Sequence, residues 1–123
     1  MTLVLLVLLV MARALLLTIA IAVTLGLLFV RERTWSAAAV VALAQVATNP
    51  AVQLVCIATG WSPFVPLGSL PWLALGAAEL AAFVAEALLY RLADVTRHPW
   101  RMSAVLNLVS FGVGIVLRLA SGA

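Results

Sequence analysis

The sequence predicts an all-α integral membrane protein of four transmembrane helices. Three observations carry that prediction: scarce charge, apolar runs of bilayer length, and the polar or proline-rich breaks between them. Only 9% of the 123 residues are charged and 67% are hydrophobic, whereas an ordinary soluble domain is about a quarter charged. Too little polar surface exists to cover a water-soluble globule. A mean hydropathy of +1.28 makes hydrocarbon the natural solvent. A single transmembrane domain over residues 1–123 is expected.

The first segment runs from about Ala12 to Val30. Residues 2–10 are also apolar, but no basic region precedes them and the run continues past Arg13, which favours a retained helix over a cleaved secretory signal. Residues 1–11 either prolong this helix beyond the membrane or lie against the interface. Arg31, Glu32, Arg33 and Thr34 break the run. The second segment, Trp35 to Thr59, stops at GWSPFVPLGSLP over 60–71, whose three prolines forbid a continuing helix. The third, Trp72 to Leu92, is closed by RLADVTRHPWR over 91–101, and the fourth runs from Met102 to Leu119. Each is near the ~20 residues a bilayer requires.

The segment ends carry interfacial marks. Trp35 and Trp100 stand beside arginine clusters, and Trp61 and Trp72 flank the proline-rich connection, as expected of two belts where an apolar ring keeps its N–H wet. Orientation follows from charge. Arg31, Arg33, Arg91, Arg97 and Arg101 lie in the first and third breaks and no basic residue lies in the second, so loops 31–34 and 91–101 are expected in the cytoplasm. Both termini then face outward, with Arg13 and Arg118 as a smaller opposing bias; a cell membrane is the expected setting. The net charge of +3, clustered in this way, serves orientation and not nucleic-acid binding.

Two short echoes raise the prospect of internal duplication. Gln45-Val46-Ala47-Thr48 in the second segment matches Asn107-Leu108-Val109-Ser110 in the fourth, an amide followed three residues later by a hydroxyl. Phe29-Val30-Arg31 matches Leu89-Tyr90-Arg91 at the ends of the first and third. If the echo is real, two helical hairpins are repeated in parallel, an arrangement some transporters build around a midplane site.

Glu79 and Glu86 are the most informative residues, because a carboxylate in a membrane helix costs roughly 2.5–3.5 kcal/mol on insertion scales. Their spacing of seven puts both on one face, which Phe83 and Tyr90 extend. Counting at about 1.5 Å per residue from the cytoplasmic ends, Glu86 and Asn107 are each about 9 Å deep, Glu79 about 20 Å, Gln45 about 15 Å and Asn49 about 21 Å. Equal depth pairs Glu86 with Asn107 and Glu79 with Asn49, and an Asn amide can donate to a carboxyl group.

The fourth segment places Ser103, Asn107 and Ser110 on one face, with Gly112 and Gly114 beyond for close helix approach. The second offers Gln45, Thr48, Asn49 and Gln53, and Pro50 frees a backbone carbonyl near Val46. The first has only Thr18 and Thr24 and reads as a lipid-facing or packing helix.

The candidate ligand- or proton-binding residues are therefore Glu79, Glu86, Asn49, Gln45, Asn107 and Ser110. Glue between helices needs no carboxylate, since Ser or Asn supplies interhelical hydrogen bonds far more cheaply than Glu. The expected function is transport or permeation of a proton, cation or small polar solute through an acidic, amide-lined intramembrane cleft. The alternative is a non-catalytic membrane subunit whose polar faces dock a larger complex.

One chain of four helices encloses little interior, so a homo-oligomer or a partner membrane subunit is expected alongside the lipid bilayer. No cofactor and no metal are expected. Cys56 stands alone among apolar neighbours and reads as a small buried hydrophobe, and His98 is a loop histidine without a second ligand. No nucleophile elbow, phosphate-binding loop or zinc motif occurs, so no reaction class is indicated.

Overall fold

The computed structural model describes residues 2–120, and four helices make up its regular structure: α1 (Thr2–Gly26), α2 (Trp35–Thr59), α3 (Leu70–Leu92) and α4 (Pro99–Ala120). All four are long and apolar enough to cross a membrane. The helices alternate in direction and pack as a ring: α1 on α2, α2 on α3, α3 on α4, and α4 back on α1. The α1–α2 and α3–α4 connections share one end of the ring, here called the base. The α2–α3 connection lies at the other end, the mouth.

The helix ends follow local chemistry. Thr34 caps α2, its hydroxyl accepting from the Ala37 N–H at 3.1 Å. Gly60 ends the same helix at φ 68°, a left-handed turn that suits glycine. Pro71 falls in the first turn of α3 and Pro99 opens α4, where a missing N–H costs nothing.

The first helix differs most from expectation. Its helical geometry begins at Thr2, because the Leu- and Val-rich run before Ala12 contains no breaker. It ends at Gly26, ahead of the expected Val30, where the bonding tightens: the Leu28 N–H donates to the Leu25 carbonyl at 3.0 Å and the Phe29 N–H to the Gly26 carbonyl at 2.9 Å. Gly26 also sits close to the neighbouring helices. A Cβ on Gly26 would lie 3.2 Å from Met102 Cε and 3.4 Å from Val41. The chain then turns, and Val30 forms an isolated antiparallel bridge with Thr96.

That bridge ties the two base connections together. The Arg31 N–H donates to the Val95 carbonyl at 2.8 Å, the Thr96 hydroxyl to the Phe29 carbonyl at 2.6 Å, and Arg31 pairs with Asp94 at 3.1 Å. Asp94 adopts φ 53°, a conformation a short polar side chain tolerates.

Above the bridge, Ala22, Val41, Ala44, Tyr90, Met102 and Leu106 form a buried plug. A second cluster of Val52, Trp61, Leu75 and Ala82 lies toward the mouth. Most other large apolar side chains face outward, including Leu3, Leu16, Leu80 and Leu108. In hydrocarbon such residues gain nothing by clustering, so close packing around small residues and interhelical hydrogen bonds must hold the ring.

Candidate functional site

Between the two apolar clusters lies a polar layer built on Glu86. This side chain is 0% exposed, and each of its oxygens accepts an amide from a different neighbouring helix. Gln45 Nε2 of α2 donates to Oε1, and Asn107 Nδ2 of α4 donates to Oε2 at 2.5 Å. Gln45 Nε2 also contacts the Tyr90 hydroxyl at 3.3 Å, and Asn107 Nδ2 reaches the Ser103 carbonyl at 2.8 Å. Ser103 itself donates to the Phe83 carbonyl at 2.7 Å, adding a second α3–α4 tie. One carboxyl group thus joins three helices, with the apolar plug sealing it from the base.

Toward the mouth this layer opens into a cleft of about 390 Å³. Gln45 and Asn107 form its floor, Asn49, Glu79 and Ser110 its walls, and Trp61 stands near its rim. Setting Gln45, Glu86 and Asn107 at one level and rising about 1.5 Å per residue puts Ser110 about 4.5 Å above the floor, Asn49 about 6 Å and Glu79 about 10 Å. The two carboxylates therefore stand one above the other on α3, Glu86 sealed beneath the floor and Glu79 on the cleft wall. Among the described residues no side chain donates a hydrogen bond to Glu79.

The six candidate residues divide accordingly. Gln45, Glu86 and Asn107 form one hydrogen-bonded unit, and Asn49, Glu79 and Ser110 line the space above it. The equal-depth pairing of Glu86 with Asn107 is present as a hydrogen bond; that of Glu79 with Asn49 is not. Asn49 Nδ2 instead donates to Thr18 Oγ1 of α1 at 3.2 Å. Asn49 lies about 4 Å nearer the base than Glu79, because α2 begins lower than a count from Trp35 assumes, and its side chain turns toward α1.

Several contributors carried no clear signal in the sequence. Thr18 and Arg13 bring α1 to the cleft wall, so this helix is more than packing. Arg118 of α4 lies over the Trp61 ring, 5.6 Å from its centroid. Trp61 departs from the interfacial pattern: it is 8% exposed and packs edge-on against Trp72 at 5.4 Å, whereas Trp35 is 92% exposed. The turn at Gly60 drives this inversion by sending the chain back over the bundle, where the Trp61 backbone N–H donates to the Cys56 carbonyl at 3.0 Å.

Asn49 Oδ1, Ser110 Oγ and Trp61 Nε1 are buried without a hydrogen-bond partner, and all three residues line this cleft. Two acceptors and two donors are thus available to a polar guest. Among the described residues no group of three or more His, Cys, Asp or Glu side chains could hold a metal ion. Comparisons of the chain with protein-family models, curated proteins and solved structures give no match.

Proposed function

We propose that the protein is a small transport or permeation protein of the cell membrane that moves a proton, a cation or a small polar solute through this cleft. The observation that carries the reading is the pair of stacked carboxylates: Glu79 on the wall of an open polar cleft, and Glu86 directly below it, buried and held by amides from two helices. A buried carboxylate is an expensive way to join helices, whereas two at successive depths provide two stations for a proton or cation. The plug of Val41, Tyr90, Met102 and Leu106 closes the path beneath Glu86, the arrangement of a site open to one side.

The charge of the base loops supports a topology with 31–34 and 91–101 in the cytoplasm and both termini outside, which makes the mouth extracellular. Duplication of a helical hairpin gains support from Gln45 and Asn107, the echoed amides, which reach the two oxygens of the same carboxyl group. A complete pathway through so small a ring calls for a second copy or a partner subunit. The alternative, a non-catalytic membrane subunit whose polar faces dock a larger complex, is favoured by one observation: Asn49 Oδ1 and Ser110 Oγ are buried without a hydrogen-bond partner.

Flux into proteoliposomes containing only this chain tests the reading. Glu79→Gln copies the shape of the protonated acid but cannot release a proton, so it should preserve folding and abolish pH-dependent flux. Glu86→Gln should abolish that flux too, at a cost in stability, because its NH2 would face the amide donor of Gln45 or Asn107. Full pH-dependent flux in both variants would leave the carboxylates a packing role. A chain that moves nothing and is stable only with a co-purifying partner would establish the subunit instead.

A further inference from the structure

A second cavity, of about 480 Å³, runs along the outer face between α3 and α4. Trp72, Leu80, Phe83 and Leu108 line it, so its walls are apolar and its open side faces what would be the hydrocarbon of the bilayer. It is not separate from the cleft. Leu75, Glu79, Asn107 and Phe111 line both spaces, which makes the partition one layer of side chains thick. Glu79 is therefore reached from two directions: through the polar cleft from the mouth, and through the apolar groove from the membrane.

The chemistry of this junction selects a guest. A carboxylate without a hydrogen-bond donor among the described side chains attracts an ammonium group and repels an anion. The rings of Trp72, Phe83 and Phe111 around it suit both an alkyl chain and the face of a quaternary ammonium. Arg13 and Arg118 line only the cleft, about 3 Å and 6 Å nearer the mouth than Glu79 by helix rise. Arg118 is moreover held over the Trp61 ring. They meet a solute arriving from the mouth, not one arriving through the groove.

Resting on the transport reading of the cleft, the geometry points to the α3–α4 groove as a lateral portal. Through it a membrane-dissolved alkylammonium amphiphile places its head at Glu79 while its chain stays in the groove. Charge complementarity at Glu79 and the shared partition commit the groove to this occupant over an ordinary acyl chain, which has no use for a carboxylate.

Gly76 gives the test its handle. It lines the groove and not the cleft, and a Cβ there would meet nothing within 4 Å. Gly76→Leu should therefore fill the groove without disturbing the fold, and helix propensity favours the change. Binding is measured by titration calorimetry in nanodiscs, with empty nanodiscs subtracted, using hexyltrimethylammonium, tetramethylammonium and hexanesulfonate.

The parent chain should bind hexyltrimethylammonium at least tenfold more tightly than tetramethylammonium, and hexanesulfonate more weakly than either. Gly76→Leu should erase the tenfold advantage while leaving tetramethylammonium affinity within about twofold, which also reports an intact fold. Glu79→Gln should weaken both cations at least tenfold. Tetramethylammonium binding that depends on Glu79, with no advantage for the hexyl chain, would overturn the portal and leave the cleft reading standing. Binding of neither cation would overturn the portal; the cleft reading would fall with it only if pH-dependent flux in proteoliposomes were absent as well. A change of oligomeric mass in Gly76→Leu would assign the groove to a second copy of the chain and overturn the proposal.

Discussion

Replacing Gln45 by Leu tests how the buried carboxyl group is held. The substitution keeps the approximate volume at a site that is 4% exposed but removes the donor to Glu86 Oε1 and to the Tyr90 hydroxyl. An interhelical hydrogen bond in a membrane protein averages about 0.6 kcal/mol and reaches about 1.7. Leaving a buried acceptor unpaired costs about 1–3 kcal/mol. Because Glu86 is 0% exposed, water cannot replace the lost donor, and the upper part of these ranges applies.

The expected loss is about 2–3 kcal/mol, roughly 30- to 150-fold in the folding equilibrium. Asn107→Leu should cost a similar amount. Replacing Gln45, Glu86 and Asn107 together by Leu should cost less than the sum of the three single changes, because the buried carboxyl and its two amides leave together. Reversible SDS unfolding in mixed micelles, followed by circular dichroism, measures all four variants. A loss below about 0.5 kcal/mol for Gln45→Leu, or strict additivity in the triple variant, would refute the idea that the amides hold the carboxyl group.

On a Cys56→Ser background, Ser62→Cys and Ser69→Cys should be labelled by an impermeant thiol reagent from outside intact cells; labelling only after permeabilisation would invert the topology. Thr96 is 3% exposed and bonds Phe29 and His98, so Thr96→Val should cost about 1–2 kcal/mol. Arg31→Ala, which removes a partly exposed ion pair, should cost under about 1 kcal/mol, and SDS unfolding that ranks the two the other way would show that the bridge does not hold the base. Gly26→Val should destabilise by at least about 1 kcal/mol through overpacking against Met102 and Val41, whereas a neutral result in the same assay would mean that the α1–α4 contact yields freely. Native mass spectrometry from nanodiscs should show an oligomer, and a monomer at every concentration would count against the expected assembly.

The helices were legible because hydrocarbon leaves the chain few choices: a run of apolar residues without proline must satisfy its own backbone. The ends of α2, α3 and α4 fall within three residues of the expected positions. The end of α1 was hidden because the chain does not stop abruptly but passes at Gly26 into tighter turns that run on to Val30, and a single glycine in an apolar run is a weak mark of that change. In the site, Glu86 and Asn107 could be matched because both helices adjoin the same connection, which supplies a common zero of depth. Gln45 was counted too deep from Trp35, since α2 begins lower in the bundle than its neighbours. Thr18 and Arg13 were missed for a related reason, as the run before Ala12 offered no marker of level and a threonine in an apolar helix carries no signature of its partner. The inward turn of Trp61 depends on the left-handed Gly60, which sequence shows only as one glycine in a loop.

The three-way junction at Glu86 also has a history during synthesis. Asn107 lies 21 residues downstream of Glu86, an interval of about 1–4 s at typical elongation rates of about 5–20 residues per second. Throughout that interval α3 carries its acid with only side chains of α2, Gln45 and its neighbour Thr48, already made. Gln45 is made before Glu86 and Asn107 after it, so the Gln45 amide is available to the carboxyl group first. Loss of this amide should therefore lower the yield of inserted protein in cells by more than its effect on the stability of the purified chain.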